Sequence, residues 1–257
     1  MTGGPNVPRW NQFWGEKDDL KQVYRSSPRV LEAVMRALPP DAERVLEVGA
    51  GTGRDTAWLS ERGLLAIALD SSPAAWSLMA RSAPSLVGRG LVGGDALHLP
   101  FADLTFDLVF HQGVLEHFGN PTAFLAENSR VTRPGGLLVV DVPQTFHPWT
   151  FLKRIALRLD RWFAGWETEY TIGQLQRLVS GAGYEVIETY GDWMVPSLAY
   201  RLLRHAAEPM TSLPLEPRGP RVFRRARREV RDRLLAPRAA RYVAHTIGIV
   251  ARKPSNP

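Results

Sequence analysis

An apolar strand that runs into a glycine-rich loop is the sequence feature that most restricts the fold. The segment VLEVGAGTGRDT, residues 45–56, places Gly49, Gly51 and Gly53 at alternate positions before a helical stretch. Glycine permits the positive φ angles and the close backbone approach that such a turn requires. The free N–H groups at the start of the following helix face the space above the loop. We therefore expect a ligand to lie against this loop.

Strands and helices alternate along the chain. Apolar runs predict strands at 43–49, 64–70, 90–96, 106–113 and 136–143, and helical spacing or end signals predict helices at 27–38, 54–63, 73–82 and 121–131. The second half is predicted to contain a helix at 171–180, a strand at 184–190, a largely helical insertion at 191–241 and a last strand at 241–253. Short apolar strands separated by helices indicate parallel βαβ winding and an α/β fold.

The composition excludes several classes of protein. The 257 residues include no cysteine, which excludes disulfides, thiolate metal sites and cysteine nucleophiles. No apolar run approaches the roughly 20 residues of a membrane-spanning helix, and the N-terminus lacks the pattern of a signal peptide. We expect a cytoplasmic protein without a metal site, with peripheral contact at the inner membrane surface as an alternative.

Basic residues are concentrated towards the C-terminus. The formal net charge is +6, and the arginine-rich segment 218–241 carries much of it. This segment is either a solvated helix or a contact for an anionic partner such as lipid headgroups or nucleic acid. A nucleic-acid substrate is disfavoured, because the sequence shows no appended RNA-binding module. HQGV also stands after the fourth strand, where amino-methylating nucleic-acid enzymes carry N/D-P-P-Y/F.

Three carboxylates are predicted to lie at the same edge of the sheet. Glu47 lies in the first strand, Asp70 ends the second, and Asp95 lies at the end of the third. Ligands of open α/β sheets bind at the carboxyl ends of the strands. Asp70 lies about 17 residues beyond Gly53, close to the spacing of an acid that accepts hydrogen bonds from ribose hydroxyls.

The motif series resembles that of class I S-adenosylmethionine (SAM)-dependent methyltransferases, in particular the small-molecule group with the quinone-biosynthesis enzymes. The matching segments are VLEVGAGTG, ALDSS, GGDALHLPF, FDLVFHQGVLEHF and LAENSRVTRPGGLLVVDVP, within residues 43–143. The resemblance implies a Rossmann-like, mostly parallel seven-stranded sheet of order 3-2-1-4-5-7-6. Strand seven would be antiparallel, with helices on both faces and helical lid insertions.

The resemblance also implies where SAM would be held. The glycine loop would face its methionine part, Asp70 the ribose, Asp95 the adenine, and Gln112 the amino-acid end. The full set of implied cofactor-binding residues is Glu47, Gly49, Ala50, Gly51, Thr52, Gly53, Asp70, Ser71, Asp95, Ala96, Gln112 and Gly113.

Other families share parts of this pattern. A dinucleotide-binding oxidoreductase would use G-x-G-x-x-G, whereas this loop reads G-A-G-T-G at 49–53. The segment EHFG at 116–119 resembles cyclopropane fatty acid synthases, whose additional elements are not found in this sequence. A non-catalytic SAM-binding scaffold, or a protein that mainly associates with a membrane surface, would use the same fold.

Methyl transfer requires alignment of the acceptor, and a base where the nucleophile is a hydroxyl or a carbon acid. The candidate catalytic residues are His117, His111 and Glu116 around the end of the fourth strand, and His147 after the fifth. For His117, orientation of the loop by hydrogen bonding is the alternative role.

We expect a single domain over 1–257, with its core at about 41–143, 171–190 and 241–253. The segments at about 1–26, 144–170 and 191–240 would cover the acceptor.

In the segment 144–170, apolar side chains share one predicted helical face, namely Leu152, Ile155, Leu159, Trp162, Phe163 and Trp166. Basic side chains occupy much of the rest, namely Lys153, Arg154, Arg158 and Arg161. Such a helix is either a lid packed on the sheet or an interfacial helix. Both predict a small or lipid-like acceptor, methylated at oxygen or carbon.

Overall fold

The computed structural model describes residues 6–17, 23, 28–159, 166–207, 213–215, 221–235 and 237–255. Several residues of the predicted lid segments, including Arg161, Trp162 and Phe163, lie outside this part of the chain. The helices within it are α1 (Val7–Gly15), α2 (Pro28–Ala37), α3 (Arg54–Ser60), α4 (Pro73–Ser82), α5 (Pro121–Val131), α6 (Pro148–Arg158), α7 (Ile172–Gly181), α8 (Leu198–Ala207) and α9 (Arg221–Leu235).

The described strands form one seven-stranded sheet. They are β1 (Arg44–Val48), β2 (Leu65–Asp70), β3 (Leu91–Gly93), β4 (Phe106–Gln112), β5 (Thr132–Pro143), β6 (Glu185–Asp192) and β7 (Thr246–Arg252). Their order is β3-β2-β1-β4-β5-β7-β6. Strand β7 runs antiparallel to both β5 and β6, and the remaining pairs are parallel. The predicted fold class and strand order are confirmed.

Apolar side chains cover both faces of the sheet, as parallel sheets require. On one face, Phe124 of α5 and Leu175 of α7 pack with Val109 and Leu138 of the central strands. On the other, the buried face of α2, including Val30, packs against alternate residues of the same strands. The carboxyl ends of β1, β2 and β4 are thereby held at one rim.

Several boundaries differ from those predicted. Strand β5 begins at Thr132, before the predicted 136–143, with a register irregularity against β4. The predicted last strand at 241–253 is shortened, because Arg238–Tyr242 forms a 3-10 helix and pairing starts at Thr246. Strand β3 ends at Gly93, so that Asp95 lies in the following turn. Residues 7–15, predicted only as part of a segment that covers the acceptor, form helix α1, whose N-cap Asn6 accepts a hydrogen bond from the Arg9 backbone.

Candidate functional site

The glycine loop makes a tight turn at the end of β1. Gly49, Gly51 and Gly53 have φ angles of 68°, 53° and 65°, in the left-handed region that favours glycine. The Gly49 N–H donates to the Leu69 carbonyl at 2.8 Å, which ties the loop to β2. A Cβ atom at any of the three glycines would lie within 3.0 Å of another side chain. Backbone therefore approaches its surroundings more closely here than alanine would allow.

Asp70 joins the end of β2 to this loop. Its Oδ2 accepts a hydrogen bond from the Gly51 N–H and its Oδ1 one from the Ser72 N–H, both at 2.9 Å. Burial raises the pKa of this carboxyl group, while the backbone N–H donors act in the opposite direction. A carboxylate with two backbone donors retains lone pairs for further donors such as vicinal hydroxyls. Ser71, the next residue, is half-buried at the same rim.

Glu47 is directed towards the following helix. Its Oε2 accepts a hydrogen bond from the Thr56 N–H at 3.1 Å and another from the Thr56 hydroxyl. Burial, together with the negative charge of Asp55, raises the pKa of Glu47 to about 8. This side chain braces the start of α3 beneath the loop, where Ala50 and Thr52 are also buried.

Asp95 lies in an exposed turn beyond β3. Its Oδ1 accepts a hydrogen bond from the Leu97 N–H at 2.9 Å, and its Oδ2 lies 3.1 Å from His98 Nδ1. Because Gly93 pairs with Asp70 across the sheet, this turn continues the same rim. Ala96, in the turn, packs against the main core cluster.

Helix α1 lies across the rim. Asn11 Oδ1 accepts a hydrogen bond from the Ala74 N–H at 2.9 Å. A Cβ atom at Gly51 would lie 2.6 Å from Trp14 Cζ2, so the indole rests on the glycine loop. Nearer the N-terminus of the helix, Trp10 contacts His117 edge-on, with 5.0 Å between the ring centroids. The helix therefore reaches from the glycine loop to the turn after β4.

The turn after β4 contains the predicted acceptor-side residues. Gln112 ends the strand, and its Oε1 is buried without a hydrogen bond to any described residue. Gly113 follows with a φ of 66°. The 3-10 turn Leu115–His117 then buries both Glu116 and His117.

Glu116 and His117 have shifted acidities. Burial, with a contribution from the negative charge of Glu167, raises the pKa of Glu116 to about 8. The Glu116 Oε2 atom accepts no hydrogen bond from the described residues. Burial lowers the pKa of His117, so its imidazole is neutral near pH 7. The turn thus presents a carboxyl group that titrates near neutral pH beside a neutral imidazole.

Two of the predicted catalytic histidines occupy other positions. His111 is fully buried in the core against Phe124, with 4.9 Å between ring centroids, and burial lowers its pKa to about 3. His147 is the N-cap of α6, where its Nδ1 accepts a hydrogen bond from the Trp149 N–H at 3.1 Å. The structure therefore brings together Glu116 and His117, and it gives His111 and His147 packing and capping contacts.

Sequence reasoning missed a buried ion pair beside this turn. Lys153, predicted on the basic face of its helix, is buried, and its Nζ lies 2.5 Å from Glu167 Oε2. Glu169 Oε1 lies 3.5 Å from the same nitrogen. The Thr168 N–H donates to the Glu116 carbonyl at 2.8 Å, which places this acidic segment against the turn. The acids at 167 and 169 were the only available signal, since nothing in the helical spacing distinguishes Lys153 from its basic neighbours.

Comparison with known proteins identifies the domain. Residues 46–140 match the methyltransferase domain family. A demethylmenaquinone methyltransferase of Corynebacterium kroppenstedtii is 42% identical over 102 residues, which cover 40% of this chain and 42% of that protein. The chain carries a class I SAM-dependent methyltransferase domain. Another demethylmenaquinone methyltransferase, from Tropheryma whipplei, is 32% identical to it over 169 residues, covering 62% of this chain and 64% of that protein. The chain thus matches less than two thirds of the length of either relative.

Solved structures share the fold of this methyltransferase domain over most of the chain. A Thermotoga maritima SAM-dependent methyltransferase, described as a possible histamine N-methyltransferase, has a TM-score of 0.63 at 17% identity. It covers 96% of this chain and 99% of its own. A [4+2]-cyclase has a TM-score of 0.60 at 22% identity, covering 93% of this chain and 85% of its own. At these identities the likeness shows the fold and not the reaction.

The rim of the methyltransferase domain fits SAM, the cofactor of its family. The glycine loop turns beneath Asp70, which offers carboxylate lone pairs at the position that the family pattern gives to the ribose. The buried Gln112 Oε1 is suited to accept a hydrogen bond from an ammonium group at the other end. Among the described residues, no group of three or more His, Asp or Glu side chains is arranged to hold a metal ion.

Proposed function

We propose that this chain transfers a methyl group from SAM to a small, lipophilic, quinone-type acceptor, at oxygen or carbon. The observation that carries the proposal is the meeting, at one rim, of the glycine loop with Asp70 and the buried turn that contains Glu116 and His117. The names of the relatives support the acceptor class, since they are demethylmenaquinone methyltransferases.

The cofactor-binding roles extend along the rim. In this proposal the glycine loop and Gln112 hold the methionine part of SAM, Asp70 the ribose, and the turn at 95–96 the adenine. The bound sulfonium would supply an electrophilic methyl group and a good leaving group. The protein's tasks are then to align the acceptor and to exclude water. Helix α1 serves both tasks, because it lies across the rim from Trp14 to Trp10.

Glu116 is the proposed proton acceptor. Bound SAM would give its methyl group to the nucleophilic oxygen or carbon of the acceptor, and the carbon–sulfur bond would break with S-adenosylhomocysteine as the leaving group. The acceptor's proton passes to the Glu116 carboxylate, whose Oε2 has no other donor among the described residues. His117, neutral and held beneath Trp10, positions the acceptor. A base whose pKa lies near the working pH is well suited to this step.

We also propose that the protein works at a membrane surface, because a quinone-type acceptor partitions into lipid. None of the described helices is long and apolar enough to cross a bilayer. Contact would therefore be peripheral.

Transfer of labelled methyl groups tests the reaction. The purified protein is incubated with methyl-labelled SAM and a reduced demethylmenaquinone, with transfer RNA and casein as alternative acceptors. We expect label in the organic phase with the quinol alone, and much less with Glu116→Gln. Binding of SAM without transfer to the quinol, or to any acceptor of a membrane lipid extract, would contradict the proposal and favour a cofactor-binding scaffold.

A further inference from the structure

Helix α6 exposes its apolar side chains and buries a lysine. Phe151 and Leu159 are 64% and 60% exposed, and Leu152 and Ile155 are exposed as well. Lys153, in contrast, is 3% exposed and pairs with Glu167 beneath the helix. An amphipathic helix that served only as a lid on the sheet would show the opposite arrangement. A group of exposed apolar side chains on one helix marks a surface that a partner covers.

The apolar surface continues onto neighbouring segments. The Arg201 guanidinium of α8 lies 5.9 Å from the Trp149 ring of α6, so the two helices are adjacent. Two leucines of α8, Leu202 and Leu203, are exposed. Before α6, the exposed Phe146 lies 6.5 Å from the ring of Tyr242. We call the exposed apolar residues of this region the outer face: Phe146, Phe151, Leu152, Ile155, Leu159, Leu202, Leu203, Tyr242 and Val243.

The charged residues of α6 and α8 are basic. Neither α6 (PWTFLKRIALR) nor α8 (LAYRLLRHAA) contains an acidic residue. Arg154 and Arg158 are exposed on α6, beside the apolar side chains. Two acids that follow α6 in the described part of the chain, Glu167 and Glu169, are largely buried and pair with Lys153 and Arg154. Apolar side chains flanked by arginines, without acids on the same helices, match the surface of an anionic bilayer.

We propose that the outer face docks on an anionic lipid bilayer, with α6 lying in the plane of the interface and its apolar side chains among the headgroups. This differs from binding through basic faces alone, because insertion is assigned to Phe151, Leu152, Ile155 and Leu159. The described part of the chain has no membrane-spanning helix, which is consistent with peripheral docking.

The buried side of α6 connects this surface to the acceptor site. Lys153 reaches Glu167, and the backbone of Thr168 holds the turn that contains Glu116. Docking would therefore place the acceptor side of the rim one helix away from the lipid. The significance of this position for an acceptor that enters from the lipid rests on the proposed function. Docking itself does not rest on it.

Vesicle co-sedimentation tests the proposal. The full chain is mixed with vesicles of phosphatidylcholine and phosphatidylglycerol, or of phosphatidylcholine alone, at low and high ionic strength. The double variant Phe151→Ser/Ile155→Ser is compared with the control Val87→Ser/Ile187→Ser, whose residues are similarly exposed at 53% each on other elements. Calorimetric SAM binding and light scattering accompany every variant.

We expect the wild-type protein to bind the anionic vesicles, and Phe151→Ser/Ile155→Ser to bind at least about tenfold more weakly. The control variant should bind like wild type, and all three should bind SAM equally. Arg158→Gln should weaken binding about fivefold, through the loss of one charge near anionic lipid.

Other outcomes would overturn the proposal. Wild-type protein that binds SAM but no vesicles would exclude docking and leave the proposed reaction standing. Equal, salt-insensitive binding to phosphatidylcholine alone would exclude an anionic surface. A wild-type dimer that Phe151→Ser/Ile155→Ser converts to a monomer, without vesicle binding, would assign the outer face to a second copy of the chain. Vesicle binding without SAM binding would support docking and instead contradict the proposed function.

Discussion

Lys153 and Glu167 form a buried ion pair, with 2.5 Å between Nζ and Oε2, directly beneath the helix that exposes the outer face. The pair lies beside the turn of Glu116, whose pKa is raised mainly by burial, raised further by Glu167 and lowered by Lys153. The same contact therefore holds α6 in place and adjusts the acidity of the proposed base.

Removal of the lysine should be costly. Lys153→Met breaks a buried ion pair by removing one member, and we expect a loss of about 3–5 kcal/mol in the free energy of unfolding. The double variant Lys153→Met/Glu167→Gln should recover most of it, because both members of the pair are then neutral. Arg154→Met, which breaks a more exposed pair with Glu169, should cost no more than about 1 kcal/mol. Urea denaturation measures all three, and equal losses for Lys153→Met and Arg154→Met would contradict the burial described.

Alanine substitutions at Gly51, in the glycine loop, and at Gly63, after α3, can be compared with each other. Gly51 and Gly63 both have positive φ angles, 53° and 88°, but only a Cβ at Gly51 meets another side chain, that of Trp14. Both alanine variants should lose about 1–2 kcal/mol of stability from backbone strain, and Gly51→Ala should lose more because its Cβ meets Trp14. Only Gly51→Ala should also weaken SAM binding, by about tenfold or more, which calorimetry on the two folded variants measures. Equal SAM affinities of the two variants would show that the loop is not part of the cofactor site.

The pH dependence of methyl transfer should report on Glu116. Because burial raises its pKa to about 8, the carboxylate form needed to accept a proton increases as the pH rises towards and through that value. The wild-type rate at saturating SAM should therefore rise over this range. Glu116→Gln should be slow and lack this rise, while its SAM affinity stays unchanged. A variant with the wild-type profile would show that another group accepts the proton.

His111 should matter for acid stability and not for catalysis. Burial lowers its pKa from 6.5 to about 3, so the folded chain binds this proton less readily than the unfolded chain. The free energy of unfolding is therefore fully retained above about pH 6.5 and falls as the pH drops from 6.5 towards 3.

The variant His111→Leu should show a shallower fall in stability over that range, with stability at pH 7 kept or raised. It removes two buried nitrogens that have no hydrogen-bond partner among the described residues. The exposed His98→Leu serves as the control and should keep the wild-type acid profile. Thermal unfolding at several pH values measures this. A loss of methyl transfer in folded His111→Leu would instead show that His111 takes part in catalysis.

Local sequence patterns predicted most of the fold. Apolar runs identified the strands, and glycines and acids at their ends located the rim, because strand periodicity and turn chemistry depend on near neighbours. The direction of a side chain at a strand end depends on distant packing. His111 points into the core because Phe124 of α5 lies against it, and no local pattern encodes that contact.

The orientation of α6 could likewise not be predicted from the sequence. Helical spacing separated an apolar face from a basic one, but it could not show which face meets the protein. The buried acids Glu167 and Glu169, in a later segment, select Lys153 for the inner side and leave the apolar residues outside. The predicted basic face was therefore partly wrong, since its first lysine lies inside.

Calorimetric titration of SAM into the wild-type protein and Asp70→Ala tests the central claim most directly. Asp70 accepts hydrogen bonds from Gly51 and Ser72 at the centre of the proposed site. We predict saturable SAM binding to the wild type, and a loss of about 1–3 kcal/mol in binding free energy for folded Asp70→Ala. The control Asp41→Ala, an exposed acid in a loop before β1, should bind like wild type. Absence of binding to the folded wild-type protein, or equal affinity for Asp70→Ala, would contradict the account.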